Sequence, residues 1–250
     1  MTTLRILSYN ICRGGRGKEA DLSAAIAQAR PDVVVFQEAT DPAVIERLAA
    51  DAGMAQWASR RGESLAFMSR EKVRRYEWHR PRFSRHAFLE IEPCTGEPRI
   101  FGLHLSALYS AWTEQRRVLE LRALLASIRR HQDGFHVLTG DFNTLAPGDL
   151  LDFRKLPHRL RALVWLSGGR IQWRTIQLIL DAGYADGYRT LHGPDPGYTF
   201  PTWAPHVRLD YLFVPAAYAH RVEACEIIRS AEAAAASDHF PFLAQVAGEP

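Results

Sequence analysis

The sequence predicts an α/β fold of the α+β type, built from two mixed, largely antiparallel β-sheets with helices on their outer faces. Strand and helix patterns alternate up to residue 53, short strand patterns then follow one another to residue 105, and strand, helix and strand patterns return afterwards. Two packed sheets covered by helices accommodate this order, because each sheet buries one face against the other sheet and one against helices. A simple doubly wound sheet does not fit, since it would alternate strand and helix throughout.

The first part of the chain predicts two strands separated by a helix. Residues 4–11 and 32–37 are apolar and rich in β-branched side chains, as expected of buried strands. The Ala-rich segment 18–29 between them is amphipathic, and Pro31 ends it. A second helix is predicted after Asp41, because an N-cap residue followed by proline is a typical helix start and Gly53 supplies a stop.

The rest of the chain predicts mainly strands. Runs around 54–58, 64–69, 73–78, 86–92 and 98–105 are separated by Gly, Pro and charged residues, which predicts consecutive antiparallel strands. Thr113 is predicted to cap a helix that reaches about residue 131 and covers a sheet through Val118, Leu121, Leu125 and Ile128. A strand over 135–141, an irregular or helical stretch over 147–190, and strands near 207–214, 219–229 and 240–246 complete the pattern.

Length and composition indicate one substantial core. We expect a single domain over residues 1–250, because 47% of the 250 residues are hydrophobic and no linker-like break divides them. The 31 basic and 28 acidic residues leave a net charge of +3, which permits a polyanionic partner without requiring one. Cys12, Cys94 and Cys225 are widely spaced and form no paired motif, so neither a disulfide framework nor a thiolate metal site is expected.

The sequence shows neither a membrane anchor nor an export signal. No run approaches the roughly 20 apolar residues that span a bilayer, and the start MTTLRILSYN lacks the apolar stretch and cleavage site of a signal peptide. Together with the unpaired cysteines, these observations favour the reducing cytoplasm. The sequence indicates no obligate protein partner, and we expect a monomer.

Polar side chains recur where apolar runs end. In LTGDFNT (138–144), side chains of an extended backbone alternate, so Asp141 and Asn143 face one way and Phe142 points into the protein. An ordinary surface turn would also explain this composition. Asp210 lies inside an apolar run, where a carboxylate needs a partner such as a histidine. The other polar residues at such ends are Asn10, Glu38, His104, Asp238 and His239.

Each of these residues alone has an ordinary explanation as a solvated loop residue or a structural histidine. If the strand ends meet on one rim, however, they supply carboxylates for a hard cation, amides to orient a substrate, and two histidines for proton or phosphate chemistry. That combination is typical of phosphate-ester hydrolysis.

Six short motifs carry a resemblance to a known family. The chain resembles the DNase-I-like endonuclease/exonuclease/phosphatase superfamily over residues 4–242, with its motifs in order as SYN at 8–10, QE at 37–38, HL at 104–105, GDFN at 140–143, RLDY at 208–211 and SDH at 237–239. The resemblance implies a four-layer sandwich of two β-sheets between helical layers, with the site at one end of the sheets. It also implies a divalent-metal-dependent hydrolase that cleaves phosphoester bonds.

The same resemblance implies a metal site. Glu38 would be the principal Mg²⁺ ligand, with Asn10 close by and Asp238 as a further carboxylate near the metal. We expect Mn²⁺ to be able to replace Mg²⁺. The chemistry gives an independent reason for such ligands, because a phosphodiester anion repels hydroxide and a cation held by one or two carboxylates neutralises that charge.

The resemblance further implies a reaction centre. Asp141 would position or deprotonate the attacking water, Asn143 would hold a phosphate oxygen, His104 would contact the phosphate, and Asp210 would orient His239. In-line attack at phosphorus requires a base on one side and charge stabilisation around the equatorial oxygens, which these residue types can supply.

Signals for the substrate are weaker. The glycine-rich stretch RGGRGKE (13–19) is not a P-loop, because Cys12 and Glu19 stand where that motif requires Gly and Ser or Thr, and we interpret it as a loop near the active-site rim. Segment 151–174 interleaves six basic residues with two tryptophans, which suits either nucleic-acid contact or a solvated helical face. Tyr109, Arg170 and Trp203 are candidate substrate-binding residues, although Trp203 could equally belong to the core.

These observations predict a cytoplasmic, Mg²⁺-dependent phosphodiesterase, with DNA or RNA as the leading substrate. RLDY at 208–211 is closer to the nuclease-like branches than to the inositol-phosphatase pattern, which would have Cys-Asp-Arg at 209–211. Two alternatives remain open. One is a phosphatase or phosphodiesterase for a small or lipid-derived phosphate, and the other is a binding protein that keeps the fold without catalysis.

Overall fold

The computed structural model describes residues 3–81, 84, 87–94, 96–107, 111–129, 134–149 and 173–248. Within these residues, two six-stranded sheets lie face to face between layers of helices. The predicted fold class, a four-layer α/β sandwich with two mixed and largely antiparallel sheets, is confirmed.

The strands and helices follow the predicted order except at two places. Tyr184–Asp186 forms a strand inside the stretch 147–190 that was predicted to be irregular or helical, and the helix Ala231–Ala236 was not predicted. The strands are β1 Thr3–Asn10, β2 Val33–Gln37, β3 Gln56–Ala58, β4 Ala66–Ser69, β5 Val73–His79, β6 Phe88–Pro93, β7 Arg99–His104, β8 His136–Asp141, β9 Tyr184–Asp186, β10 Asp210–Pro215, β11 Val222–Ile227 and β12 Phe242–Ala247. The helices are α1 Glu19–Ala29, α2 Pro42–Asp51, α3 Ala111–Ser127, α4 Arg174–Asp181, α5 Gly187–His192 and α6 Ala231–Ala236.

Each sheet contains one parallel pair of strands among antiparallel neighbours. Sheet A has the order β11-β12-β1-β2-β4-β3, and sheet B has the order β5-β6-β7-β8-β10-β9. β1 runs parallel to β2 in sheet A, and β7 runs parallel to β8 in sheet B. The crossover helices α1 and α3 connect these two pairs, as parallel neighbours require.

Three apolar layers hold the sandwich together. The first lies between sheet A and its helices and includes Leu7, Phe36, Leu22 and Ile45. The second lies between the sheets and includes Ile6, Val35, Leu89, Ile100, Val137 and Leu212. The third lies between sheet B and its helices and includes Phe101, Phe213, Leu121, Leu124 and Ile176. Since alternate side chains of a strand face opposite ways, both faces of each sheet are buried in this way.

A glycine marks a close approach between the two sheets. Gly102 in β7 lies opposite Val35 in β2, and a Cβ added at Gly102 would come within 2.6 Å of Val35 Cγ1. The absence of a side chain at Gly102 therefore lets the sheets pack at this spacing.

Helix α3 differs from the prediction in two respects. It begins at Ala111, so the prediction that Thr113 caps it is wrong. Its buried face is also more polar than the predicted apolar stripe: Leu121 and Ile128 are buried, but Val118 and Leu125 are only partly buried. Glu114, Arg117 and Glu120 are buried instead, because hydrogen bonds satisfy their charges beneath the helix.

No helix among the described residues combines the length and the apolar character that crossing a membrane requires.

Candidate active site

The predicted polar residues gather at one end of the sandwich. In sheet B, His104 and Asp210 lie directly opposite Asp141, on the strands at either side of it. In sheet A, Asn10 ends β1 and Glu38 directly follows β2. The carboxyl ends of the two parallel strand pairs therefore meet, and ligand sites in α/β proteins commonly occur at such ends.

Glu38 is held in an unusual backbone conformation. Its φ of 56° is left-handed, which is costly for a residue with a long side chain. The Glu38 N–H donates to Ser64 Oγ at 3.1 Å, and the carboxylate Oε2 accepts the Arg13 N–H at 2.6 Å. The second contact places the glycine-rich loop after β1 beside Glu38, at the rim where the sequence predicted that loop.

The amide of Asn10 connects the two sheets. Its Nδ2 donates to Asp141 Oδ2 at 3.0 Å and lies 3.4 Å from Glu38 Oε1, while its Oδ1 accepts the Cys12 N–H at 3.0 Å. Since one nitrogen reaches both carboxylates, Glu38 and Asp141 lie on either side of it.

Asp141 is 1% exposed and is surrounded by donors. The Asn143 backbone N–H donates to Asp141 Oδ1 at 2.8 Å, and Asn143 Nδ2 donates to Asp141 Oδ2 at 3.1 Å. Phe142 between them is completely buried in the layer under sheet B. Asp141 and Asn143 therefore do face the same way, but Asn143 reaches its position through a left-handed turn with a φ of 52°.

Two histidines approach Asp141 from the neighbouring strand ends. His104 Nε2 lies 3.8 Å and His239 Nε2 lies 3.9 Å from Asp141 Oδ2. His239 Nδ1 is 2.9 Å from Asp210 Oδ2, so the buried Asp210 has the histidine partner that its position required. The Ser64 hydroxyl contacts His104 Nδ1 at 2.5 Å. Both imidazoles thus have one nitrogen fixed and direct the other towards Asp141.

The charges of Asp141 and His239 depend on each other. Burial raises the pKa of Asp141 to about 7, with Asp210 adding to the rise and the positive charge of His239 opposing it. Burial also disfavours the charged form of His239, but the carboxylates of Asp210 and Asp141 outweigh that effect and raise the pKa of His239 to about 10. His239 is therefore positive at neutral pH beside a carboxyl group that titrates in that range.

Asp238 lies at the rim of the same site. Burial raises the pKa of the Cys12 thiol to about 11, and the nearby Asp238 carboxylate adds to that rise. Asp238 also adds, after Asp210 and Asp141, to the raised pKa of His239. Ser237, the residue before it, donates through Oγ to the Asn10 carbonyl at 2.7 Å and accepts the His239 N–H at 3.2 Å. These bonds tie the SDH motif to the end of β1.

The predicted substrate-binding residues have different outcomes. Trp203 is 74% exposed, so the core alternative for it is wrong. Its ring lies 6.3 Å from that of Phe200, which in turn packs 4.8 Å from the ring of His239. Tyr109 and Arg170 lie outside the described residues, as does segment 151–174 apart from Trp173 and Arg174.

Sequence reasoning missed several residues that support the site. Ser64 joins Glu38 to His104, Phe200 covers one face of His239, and the Thr199 hydroxyl accepts the Leu209 N–H at 3.1 Å beside Asp210. Thr199 and Phe200 lie just before Trp203, the only residue of this part of the chain that the sequence indicated as a candidate. Ser64 carried no signal, because a serine just before a strand is common.

The donor atoms suit a hard divalent cation. The carboxylates of Glu38 and Asp141 both face the Asn10 amide, at 3.4 and 3.0 Å from its nitrogen, and one or two carboxylates with water are what Mg²⁺ prefers. Asp141, Asp210 and His239 also have possible ligand atoms within 4.8 Å of one another. Asp210 Oδ2 and His239 Nδ1 already bond each other, however, so this trio suits proton and charge placement better than metal binding.

A family model matches nearly the whole chain. The model described as the Endonuclease/Exonuclease/phosphatase family matches residues 7–239, an interval that contains every candidate site residue. The chain belongs to the Endonuclease/Exonuclease/phosphatase family. The family predicted from the six motifs is thereby confirmed, whereas a comparison with curated proteins gives no match.

Solved structures of several enzymes share the fold. An AP endonuclease from Archaeoglobus fulgidus has a TM-score of 0.74 and 19% identity, covering 98% of this chain and 100% of its own. The 3′ phosphatase NExo from Neisseria, bound to a product DNA hairpin, has a TM-score of 0.73 and 19% identity, with the same coverage. TDP2 from D. rerio, complexed with a single-strand DNA product, has a TM-score of 0.67 and 19% identity, covering 99% of this chain and 100% of its own.

Proposed function

We propose that the chain is a divalent-metal-dependent phosphodiesterase that hydrolyses phosphoester bonds in DNA or RNA. The observation that carries the proposal is the buried carboxylate of Asp141 between two imidazole nitrogens, His104 Nε2 at 3.8 Å and His239 Nε2 at 3.9 Å, with Asp210 behind His239. A base flanked by groups that stabilise negative charge is what in-line attack on a phosphate diester needs.

Asp141 acts on the attacking water in this proposal. Its raised pKa, about 7, allows it to accept a proton near neutral pH, where a general base is most effective. The two donor groups of Asn143 and the amide of Asn10 fix the orientation of its carboxylate. A water bonded to Asp141 is therefore held in one direction.

His239 and His104 hold the phosphate in this proposal. Both N–H groups of the Asn143 amide are bonded, to Asp141 Oδ2 and the Leu105 carbonyl, so Asn143 would join them by exchanging its bond to Asp141 for one to a phosphate oxygen. Asp210 keeps His239 positive and leaves its Nε2 proton free to be donated to a phosphoryl oxygen. Such preorganised donors stabilise the charge that develops in the transition state more than the charge of the substrate.

Glu38 would hold the cation, with Asn10 and Asp238 close by. Mg²⁺, or Mn²⁺ in its place, would neutralise the phosphate charge and polarise the phosphoryl oxygen. The Arg13 N–H and the Asn10 amide orient the Glu38 carboxylate for this role.

Nucleic acid is the proposed substrate class for two reasons. The structural neighbours include enzymes described with a DNA hairpin product and a single-strand DNA product. The exposed ring of Trp203 lies at the rim next to Phe200 and His239, where a base adjoining the reacting phosphate could stack on it.

The test is hydrolysis of plasmid DNA, labelled oligonucleotides of DNA and RNA, and bis-p-nitrophenyl phosphate with Mg²⁺ or Mn²⁺. We expect cleavage that weakens as salt rises, because a site that tracks a polyanion competes with counterions. We expect Asp141→Asn and His239→Ala to abolish turnover while the circular dichroism spectrum is retained. Full activity in either variant would refute the assigned roles, and activity on small phosphate esters alone would favour a small-molecule phosphatase.

Trp203 provides a second test of the substrate class. Replacing Trp203 with Ala should raise KM for oligonucleotides about 5- to 150-fold, which corresponds to the roughly 1–3 kcal/mol that one stacked base contributes. Hydrolysis of bis-p-nitrophenyl phosphate should be unchanged. Leu191→Ala is the matched control, because Leu191 on α5 is also an exposed apolar residue. It should change neither KM for oligonucleotides nor hydrolysis of bis-p-nitrophenyl phosphate. Equal KM values for Trp203→Ala and the unaltered protein would exclude base stacking at this position.

A further inference from the structure

Helix α3 buries three charged side chains on the face that covers sheet B. Glu114, Arg117 and Glu120 are spaced three residues apart, and each is at most 2% exposed. We call them the α3 charge cluster. Apolar residues could fill this space at no electrostatic cost, and buried ion pairs contribute little net stability compared with them. Their partners indicate what else the cluster does.

Glu120 and Arg117 together hold one residue, Ser106. Glu120 accepts the Ser106 backbone N–H at 3.2 Å and the Ser106 hydroxyl at 2.9 Å, while Arg117 Nη1 donates to the Ser106 carbonyl at 2.8 Å. Ser106 follows His104 by two residues. All three polar groups of Ser106 are thus fixed to α3 directly after the strand that carries His104.

Glu114 holds the second catalytic loop. Its Oε2 accepts the Thr144 hydroxyl at 3.2 Å, and Thr144 directly follows Asn143. Its Oε1 accepts the Thr175 N–H at 2.7 Å and the Thr175 hydroxyl at 2.9 Å, at the start of α4. Arg117 Nη2 donates to Glu114 Oε2 at 2.8 Å and so joins the two halves of the cluster.

The two loops also bond each other. Asn143 Nδ2 donates to the Leu105 carbonyl at 3.0 Å, and the Leu105 N–H donates to the Asp141 carbonyl at 2.9 Å. The residues that face the phosphate therefore depend on loops whose outer ends are fixed to α3. Displacement of either loop would move an imidazole or an amide by an amount that matters for catalysis.

We propose that the α3 charge cluster positions His104 and Asn143 for phosphate contact. Glu114, Arg117 and Glu120 are positioning residues, because they bond the loops and not the reacting groups. The inference rests on the proposed phosphodiesterase function of the same site and adds to it the residues that determine the loop geometry.

The test is a double-mutant cycle between Glu120 and His104, with bis-p-nitrophenyl phosphate and Mg²⁺. Glu120→Gln keeps the size of the side chain but loses the charge that holds Ser106. We expect it to lower kcat about 10- to 100-fold with a smaller change in KM. Losses of this size are typical when a residue that hydrogen-bonds and orients a metal-binding side chain is replaced. In the His104→Ala background its effect on kcat should be at least about twofold smaller. The part that acts through His104 is then lost, and only the part that acts through the Leu105 bonds to Asp141 and Asn143 remains. An equal loss in both backgrounds would overturn the inference.

Glu90→Gln is the matched control for general destabilisation. Glu90 is also a buried carboxylate, 3% exposed, but it lies in β6 of sheet B, and its partners include His79 and Arg99. It should lower Tm but leave kcat unchanged. If Glu90→Gln lowered kcat as much as Glu120→Gln does, loosening of the fold would explain both results and the inference would fail. Ser106→Ala removes one hydroxyl bond and replaces Glu120→Gln in the cycle if that variant does not fold.

A second measurement does not depend on turnover. In the imidazole ¹⁵N spectrum, Glu120→Gln should shift the resonances of His104. It should not shift those of His136 in β8, whose Nε2 lies 2.7 Å from the Tyr184 hydroxyl. If the unaltered protein hydrolyses no phosphodiester, the proposed function is wrong, and this spectrum still decides whether the cluster positions His104. Unchanged His104 resonances would show that it does not.

Discussion

Among single residues, Asp210 contributes most to the raised pKa of His239. Its carboxylate is 1% exposed and bonds His239 Nδ1 at 2.9 Å. Of the groups that favour the positive form of His239, Asp210 is the strongest, and Asp141 is second. An aspartate inside an apolar strand is thus stable because its partner carries the opposite charge.

We predict that Asp210→Asn lowers the pKa of His239. The folded-state pKa of His239, about 10, lies above its ordinary value of 6.5. Its protonation therefore stabilises the fold in full below pH 6.5, and this contribution is lost as the pH rises through about 10. In Asp210→Asn both this loss of stability and the alkaline loss of activity should occur at lower pH. An imidazole ¹⁵N titration and kcat/KM from neutral to alkaline pH measure the shift, and coincident profiles for the two proteins would contradict it.

Among the elements, the contact between β7 and β8 places His104 beside Asp141. Leu103 and Gly140 are opposite each other one position before that pair. Gly140 has a φ of 147°, and a Cβ added there would lie 2.0 Å from the Leu103 carbonyl oxygen. The glycine of GDFN is therefore required by the neighbouring backbone, which cannot move aside as a flexible side chain could.

We predict that Gly140→Ala is among the most destabilising substitutions in the chain. The clash with Leu103 should cost more than about 4 kcal/mol of unfolding free energy, a size reserved for severe strain or lost packing. Gly17→Ala is the control, because Gly17 also has a positive φ, 74°, but nothing lies within 4 Å of an added Cβ. It should cost only the 1–2 kcal/mol, roughly, of a left-handed Ala. Urea unfolding measures both values, and similar losses would exclude the clash.

At the scale of the whole molecule, the apolar core and the proposed metal site occupy different parts of the fold. The three apolar layers contain the described core, whereas the proposed ligands Glu38, Asn10 and Asp238 lie at one end of the sheets. Loss of a cation should therefore affect the reaction far more than the fold.

We predict that chelation by EDTA abolishes activity and leaves a cooperatively folded protein. Saturating Mg²⁺ should raise Tm, since a ligand that binds only the folded state stabilises it by roughly 2.7 kcal/mol at a hundred times its Kd. Glu38→Gln should fold normally but lose most of this increase. Thermal unfolding with and without Mg²⁺ measures the effect, and an increase of equal size in Glu38→Gln would show that Glu38 does not bind the cation.

The sequence predicted the order of the elements well because apolar runs, caps and glycines act locally. It also indicated the polar strand ends, but only the fold shows that Asn10 reaches both Glu38 and Asp141. It failed for the buried face of α3, where it predicted an apolar stripe and gave no sign that Glu114 and Glu120 are buried. Their partners, Ser106 and Thr175, lie 14 and 61 residues away, and no local pattern predicts contacts at such separations.

The contact between Gly102 and Val35 bears on the distance between the two halves of the candidate site. The proposed cation ligands and the proposed base belong to different sheets, so the distance between them depends on the spacing of the two sheets. The apolar side chains between the sheets determine this spacing, and the missing side chain at Gly102 keeps it small. The methyl group of a Gly102→Ala variant would therefore increase the distance between the proposed cation ligands and the proposed base. It would do so without changing any polar side chain of the site.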